Sequence, residues 1–132
     1  MWVFKGENNM NIDSFLTIYR TKKTDEARRD YVKGRIKDKY LPIGEKQSLA
    51  QNIISECYAD GVRDSVKKYV MTFMVLISAY TDLDVAKDYN GMVKQFDKLN
   101  ECDALKYLIV LMKETELNEF KLILDFVECD LG

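Results

Sequence analysis

Two pairs of carboxylates have a spacing that could hold a metal ion. Asp82 and Asp84 form Asp-x-Asp, a motif that can chelate a divalent cation, and Glu116 and Glu119 form Glu-x-x-Glu, which places two carboxylates on one helix face. Both motifs usually need further ligands, commonly histidine, and the chain contains none. Asp82 follows Thr81 at a predicted helix junction, and the two glutamates lie in the first turns of the last predicted helix. We therefore interpret them as capping and helix-dipole residues and predict neither a metal site nor a cofactor.

The nucleophilic side chains lack the neighbours that catalysis requires. Without histidine the chain has no Ser-His-Asp triad, and no serine lies in a Gly-x-Ser-x-Gly motif. No glycine-rich loop is present that could cradle a phosphate. Cys57, Cys102 and Cys129 are far apart and odd in number, which argues against a disulfide framework and favours buried thiols in a reducing compartment. The sequence therefore predicts no catalytic residues and a protein that is not an enzyme.

Helices must position these residues, because apolar side chains recur at helical spacing over nearly the whole chain. One proline and six glycines in 132 residues leave few breaks. We predict an all-α fold, a compact bundle of six or seven helices without strands. The first predicted helix ends near residue 22. The others cover about 24–38, 44–58, 62–80, 85–99, 104–112 and 115–131. The expected N-caps are Asp13 or Ser14, Thr24 and Thr115, and a break is expected at Asn90-Gly91.

The size of the chain is that of one domain, and its composition is that of a folded globule. It has 132 residues, of which 47% are hydrophobic and 32% charged. The longest apolar-dominated segment, residues 69–80, is shorter than the roughly 18 residues that span a bilayer. The first residues contain neither the basic region nor the cleavage site of a signal peptide. The composition thus predicts no membrane association and a cytoplasmic location.

The first nine residues differ from those that follow. Met10 begins Met-Asn-Ile-Asp-Ser-Phe-Leu, an ordinary start for a helical protein. Residues 5–7, Lys-Gly-Glu, back-translate to a purine-rich stretch that contains a bacterial ribosome-binding sequence. We therefore expect Met10 to be the native initiator, residues 1–9 to be a translated leader, and residues 10–132 to form a single helical domain in a bacterial or phage gene product.

Charge is distributed unevenly along the chain, although the net charge is only −2. Residues 20–46 contain ten Lys or Arg and five Asp or Glu, whereas residues 97–132 contain four Lys and nine Asp or Glu. Complementary ends of this kind could bind a protein partner or pair between copies of the chain, although a solvated face explains them as well. Nucleic acid is the least favoured partner because acidic residues interrupt the basic segment. The candidate partner-binding residues are Arg28, Arg29, Lys33, Arg35, Glu116, Glu119, Asp125 and Glu128.

The predicted helix over residues 62–80 is apolar on nearly all sides. Its main stripe includes Val66, Tyr69 and Phe73, and further apolar residues lie on its other faces. Such a helix is central to a bundle or is covered by a partner. Methionines suit an adaptable binding groove, and plain core packing is the alternative interpretation for each of them. The methionines considered are Met71, Met74, Met92 and Met112.

Five segments of the sequence are considered together, namely residues 10–16, 40–46, 77–83, 96–101 and 117–127. They resemble a group of small helical proteins that long-tailed phages and prophages of Gram-positive bacteria encode. The resemblance spans most of the chain from Met10 onward. It rests on caps, turns and core positions and on no catalytic motif, and related proteins often continue past their last helix.

This resemblance implies a tail assembly chaperone, which acts in virion morphogenesis by holding the tape-measure protein. The expected mechanism is helix-in-groove binding, in which an apolar groove covers the stripe of an amphipathic helix. An alternative is an anti-defence inhibitor, similar to an anti-CRISPR protein, that blocks a host nuclease through an acidic surface. A structural or regulatory helical module is the third interpretation.

Overall fold

Between residues 9 and 131, which the computed structural model describes, the chain forms seven helices and one pair of very short strands. The predicted all-α class is therefore confirmed. The elements, in chain order, are β1 Met10–Asn11, α1 Ile12–Tyr19, α2 Asp25–Lys33, α3 Ile43–Cys57, α4 Ser65–Tyr80, β2 Leu83–Asp84, α5 Tyr89–Glu101, α6 Ala104–Val110 and α7 Glu114–Leu131. The predicted leader lies almost wholly outside the described residues. No described helix is both long enough and apolar enough to cross a bilayer.

Helix α3 is the support on which α4 and α7 lie, and it packs extensively against both. Its buried residues Leu49, Ala50, Ile53, Ile54 and Cys57 recur at helical spacing and form one continuous apolar face. Each fully buried aliphatic side chain of this kind contributes roughly 1.5–3 kcal/mol to stability. The hydrophobic core therefore lies around α3 and holds the flanking helices in place.

Helix α4 is central to the bundle at its C-terminal end and exposed at its start. Residues 74–77 are buried in succession, as the apolar sequence predicts for a central helix. Val66 and Tyr69, by contrast, are 66% and 55% exposed, although the sequence placed them on the main apolar stripe. The start of the stripe is therefore only partly covered, because the Tyr69 ring contacts Phe96 of α5 edge-on at 5.7 Å while Val66 remains largely exposed.

Three segments that are distant in sequence pair as extended backbone beside the end of α4. Strands β1 and β2 are parallel, with Met10 opposite Leu83 and Asn11 opposite Asp84. Ile36 forms an antiparallel bridge with Thr81. Two elements of the prediction were wrong here: strands exist, and the second helix ends at Lys33 rather than near residue 38. Residues 35–37 leave the helix because their backbone pairs with residues 80–82.

The N-cap residue predicted for α2 is confirmed, and the one predicted for α1 is wrong. Thr24 caps α2 as predicted, accepting a hydrogen bond from the Ala27 amide at 3.1 Å. Helix α1 is capped by Asn11 instead of Asp13 or Ser14, since the side-chain Oδ1 of Asn11 accepts hydrogen bonds from the backbone amides of both residues.

The later helix boundaries also differ from the prediction at three points. Helix α7 begins at Glu114, one residue before Thr115. Helix α5 begins at Tyr89 and continues through Gly91, so no break occurs there. Asp82 caps no helix, because the chain continues into β2.

Gly91 is required by close packing at the start of α5. A Cβ atom at this position would lie 2.7 Å from the Ala86 Cβ and 2.8 Å from the Asp88 Oδ1. Asp88 cannot simply move, since its carboxylate caps α5 by accepting from the Gly91 amide at 2.9 Å. We therefore expect Gly91→Ala to lower the free energy of unfolding in urea by about 1–3 kcal/mol.

The matched control for this substitution is Gly44→Ala. Gly44 is also in the first turn of its helix, and a Cβ there would meet nothing within 4 Å. Alanine at residue 44 should raise stability by about 0.5–1 kcal/mol through its helix propensity. Equal effects at the two positions would show that packing around Gly91 is not the cause.

Candidate functional site

An open apolar groove lies between α4 and α7, with a volume of about 690 Å³. No residue of α3 lines it, so the groove opens on the side of α4 and α7 that faces away from α3. The last two residues of α6 and Met112 in the turn that follows also line it. The lining side chains are Ser65, Lys68, Tyr69, Thr72, Phe73 and Leu76 from α4, Ile109, Val110 and Met112 from the α6 region, and Glu114, Leu117, Asn118, Lys121, Leu124 and Asp125 from α7.

The groove extends over about three helical turns, since its lining runs from Ser65 to Leu76 on α4 and from Glu114 to Asp125 on α7. Two polar contacts join these helices. The Tyr80 hydroxyl donates to the Glu116 carboxylate at 2.7 Å, and the Lys68 ammonium donates to the Glu128 carboxylate at 2.6 Å. Residues 68 and 80 are twelve positions apart, as are residues 116 and 128, and the pairing is reversed, so the two helices are antiparallel. At 1.5 Å per residue the contacts are about 18 Å apart, the length of roughly three helical turns.

The contact between Tyr80 and Glu116 belongs to a buried polar network centred on Lys46. This side chain is fully buried, and its ammonium lies 2.6 Å from a Glu119 oxygen and 3.0 Å from a Glu116 oxygen. Glu116 also accepts from the Leu41 amide at 2.8 Å. The network therefore connects α3, α4 and α7 to the segment that precedes α3.

The ionisation of this network follows from its hydrogen bonds. Burial by itself would lower the pKa of Lys46, but the hydrogen bonds to Glu119 and Glu116 outweigh it, and the pKa is raised. Burial likewise opposes ionisation of Glu116, yet the bonds from Leu41, Tyr80 and Lys46 lower its pKa. Both directions favour a protonated Lys46 paired with an ionised Glu116 in the core.

Lys46 was not among the residues predicted to form a site, although its spacing from the apolar residues of α3 indicates that it is buried. It precedes Leu49 and Ala50 by three and four residues, and so it lies on the buried face of α3. The interpretation of Glu116 and Glu119 as helix-dipole residues was incomplete, because their carboxylates bind this lysine. A lysine on an apolar face predicts a buried acidic partner, but only the fold identifies that partner.

A second polar cluster surrounds Glu128, which binds the groove-lining residue Lys68. Its carboxylate accepts from Arg63, from Lys68 and from the Tyr58 hydroxyl at 3.1 Å. Hydrogen bonds from Arg63 and then from Lys68 lower the pKa of Glu128 to about 2. The carboxylate thereby joins α7 to α4 and to the loop between α3 and α4.

The lowered pKa of Glu128 predicts a pH-dependent contribution to stability. A carboxyl whose pKa falls on folding stabilises the folded state fully above its unfolded pKa of about 4.5, and this contribution disappears as the pH falls towards 2. We expect Glu128→Gln to be less stable than the wild type by about 1 kcal/mol at pH 7, with the difference vanishing near pH 2. Urea unfolding at several pH values measures it, and a pH-independent difference would contradict the assignment.

The predicted acidic residues do not form one exposed patch. Glu116 is buried, and Glu119 and Glu128 are bound to cations of the same chain. Asp125 is exposed and lines the groove. Of the four, Asp125 is therefore the residue with a charge that is accessible and not already paired within residues 9–131.

The predicted basic residues are also partly engaged within the fold. Arg28 lies over the Tyr19 ring at 5.8 Å, and Arg35 pairs with Asp82 at 3.0 Å. Arg29 and Lys33 are exposed on α2. None of the four lines the groove, so the structure separates them from the groove that α4 and α7 form.

The cysteines and methionines have mostly structural positions. Cys57 is buried, and burial raises the pKa of its thiol, whereas Cys102 is half-buried and Cys129 exposed. The expectation of buried thiols therefore holds for Cys57 and is wrong for Cys129. All four methionines considered as groove residues are buried, and Met112 is the one that lines the groove. Within residues 9–131, no three Cys, Asp or Glu side chains are placed to hold a metal ion.

Comparison with known proteins provides no relative from which a role could be transferred. The chain has no significant match among protein-family models, among curated proteins or among solved structures.

Proposed function

We propose that this protein is a non-catalytic binder that holds an amphipathic helix of a partner protein in the groove between α4 and α7. The observation that carries the proposal is the groove itself, about three turns long and lined by apolar side chains from both helices. A bound helix would lie diagonally opposite α3 and complete a four-helix bundle. Helix-in-groove recognition uses this arrangement, with apolar anchors at i, i+3, i+4 and i+7.

The exposed apolar residues of the groove support this proposal. Tyr69 of α4 and Val110 of α6 both line the groove and are 55% and 62% exposed. Phe73, Leu117 and Ile109, which are half-buried, also line it. A bound helix would remove this surface from water, which is the dominant driving force for such association.

We further propose that the partner is the tape-measure protein and that this protein acts as a tail assembly chaperone in a bacterial host cytoplasm. Support comes from the resemblance of residues 10–16, 40–46, 77–83, 96–101 and 117–127 to helical phage proteins. A second support is physical, since the long amphipathic helices of a tape-measure protein expose apolar stripes of the kind that the groove would cover.

The nuclease-inhibitor alternative has less support from the structure. It requires a concentrated acidic surface, but Glu116 is buried and Glu119 and Glu128 are neutralised by Lys46, Arg63 and Lys68. We therefore favour the helix-binding function.

Gene neighbourhood and co-expression together test the chaperone proposal. We expect genes for a tail tube and a tape-measure protein beside this gene, and we expect co-expression to raise the soluble fraction of that tape-measure protein. The same co-expression with a groove variant, Val110→Lys, should leave the tape-measure protein aggregated. A neighbourhood of anti-defence genes, or equal solubility with wild type and variant, would overturn the proposal.

A further inference from the structure

The two walls of the groove differ in charge. From α7, the groove-lining side chains include Glu114, Lys121 and Asp125, all exposed. From α4, the single charged lining residue is Lys68, whose ammonium is already bound to Glu128 at 2.6 Å. The α7 wall therefore presents the order anion, cation, anion, and the α4 wall presents hydroxyl and aromatic groups.

The three charges of the α7 wall have no partner of their own among the described residues. None of them forms an ion pair with any residue between 9 and 131, and Lys121 does not reach Asp125, one turn away on the same helix. In contrast, the other acidic residues near the groove, Glu116, Glu119 and Glu128, are all paired. Charges left open beside an apolar surface are available to a bound partner.

We propose that the helix bound in the groove carries the complementary order of cation, anion and cation along the flank that faces α7. The inference rests on the proposed helix-binding function and defines the chemistry of the occupant. Residues 114 and 121 are two turns apart, and residues 121 and 125 are one turn apart, so the partner charges have spacings of seven and four residues in one direction or the other. The rest of the occupant is an apolar stripe for Tyr69, Phe73 and Leu117.

Synthetic peptides test this charge order directly. Two 18-residue helical peptides share one leucine stripe and carry the charge order Lys-Glu-Lys on one flank. In the first peptide the three charged residues are separated by seven and then four positions, and in the second by four and then seven. Each has a counterpart in which the three charges are inverted to Glu-Lys-Glu. Fluorescence anisotropy measures the Kd of each labelled peptide with the full-length protein.

We expect one complementary peptide to bind about tenfold more tightly than its inverted counterpart at low salt, because three exposed ion pairs of ordinary strength act together. The preference should shrink in 0.5 M NaCl. The peptide that shows the preference also identifies the direction of the bound helix relative to α7.

The variant Glu114→Lys/Lys121→Glu/Asp125→Lys provides the reciprocal test. All three positions are exposed, so the fold should be retained, and thermal unfolding checks this. The variant should prefer the inverted peptide by a similar factor. Binding of all peptides with equal Kd would overturn the charge order while leaving the helix-binding function intact. If none of the peptides binds, the helix-binding function is overturned, and the charge order that rests on it is overturned as well.

Discussion

Replacement of Glu116 by leucine is expected to lower the free energy of unfolding by about 3–5 kcal/mol, the largest effect we predict for a single residue. The buried Lys46 ammonium would lose one of its two carboxylates, and the Leu41 amide and the Tyr80 hydroxyl would lose their acceptor. Each buried donor without an acceptor adds its own desolvation penalty. Urea unfolding followed by circular dichroism measures the loss, and Glu116→Gln, which retains an acceptor, should be less damaging.

Glu119→Gln is the matched control for this substitution. Glu119 binds the same ammonium at 2.6 Å, but its side chain is 41% exposed, so water replaces much of what is lost. We expect its effect to be about 1 kcal/mol or less. The double variant Lys46→Met/Glu116→Leu should recover part of the loss, because no buried charge then remains without a partner. If Glu116→Leu were no more harmful than Glu119→Gln, the burial of the network would not be the source of its importance.

Substitution of Val110 by lysine is expected to weaken binding of an amphipathic helix by about 10- to 100-fold with little change in stability. Burial of a valine side chain contributes roughly 1.5–3 kcal/mol, which corresponds to this fold-change. The contribution is lost when lysine places an ammonium group in the apolar contact. Because Val110 is 62% exposed in the free protein, its replacement should change the free energy of unfolding by less than about 0.5 kcal/mol. The measurements are peptide anisotropy, with the leucine-stripe peptides described above, and thermal unfolding.

Leu122→Lys provides the comparison at a similar site outside the groove. Leu122 is 52% exposed on α7 and does not line the groove. Its substitution should leave peptide binding unchanged within about twofold, since a residue outside the contact contributes little. A similar loss in both variants would place the binding surface elsewhere or reveal non-specific hydrophobic adsorption.

Several features of the fold could be predicted from the sequence because they depend on neighbours a few residues away. The spacing of Leu49, Ile53 and Cys57 identifies α3 and its buried face, and Thr24 followed by two acidic residues identifies the start of α2. The extended pairing of Ile36 with Thr81 could not be predicted. It involves single residues that are far apart in the chain and leaves no alternating pattern to read.

The candidate site was less predictable than the fold, for a different reason. Tyr69 and Phe73 were recognised as apolar positions of a helix, but they line the groove, where Phe73 is half-buried and Tyr69 is 55% exposed. Glu116 looked like an ordinary first-turn carboxylate and is the acceptor for three separate donors. The exposure of a side chain and its hydrogen-bond partners depend on how helices that are distant in sequence pack together. A pattern of a few neighbouring residues carries no information about that packing.

The amino-acid sequence by itself determined the helical class of the protein and most of its helices, because helical periodicity and capping act over one or two turns. Its lack of histidine also removed the commonest catalytic and metal-binding chemistry. The tertiary structure decided which apolar face stays uncovered, which charges are neutralised and which remain open. Those outcomes depend on how α4 and α7 lie across α3, and that arrangement arises from packing of the whole core rather than from any single segment.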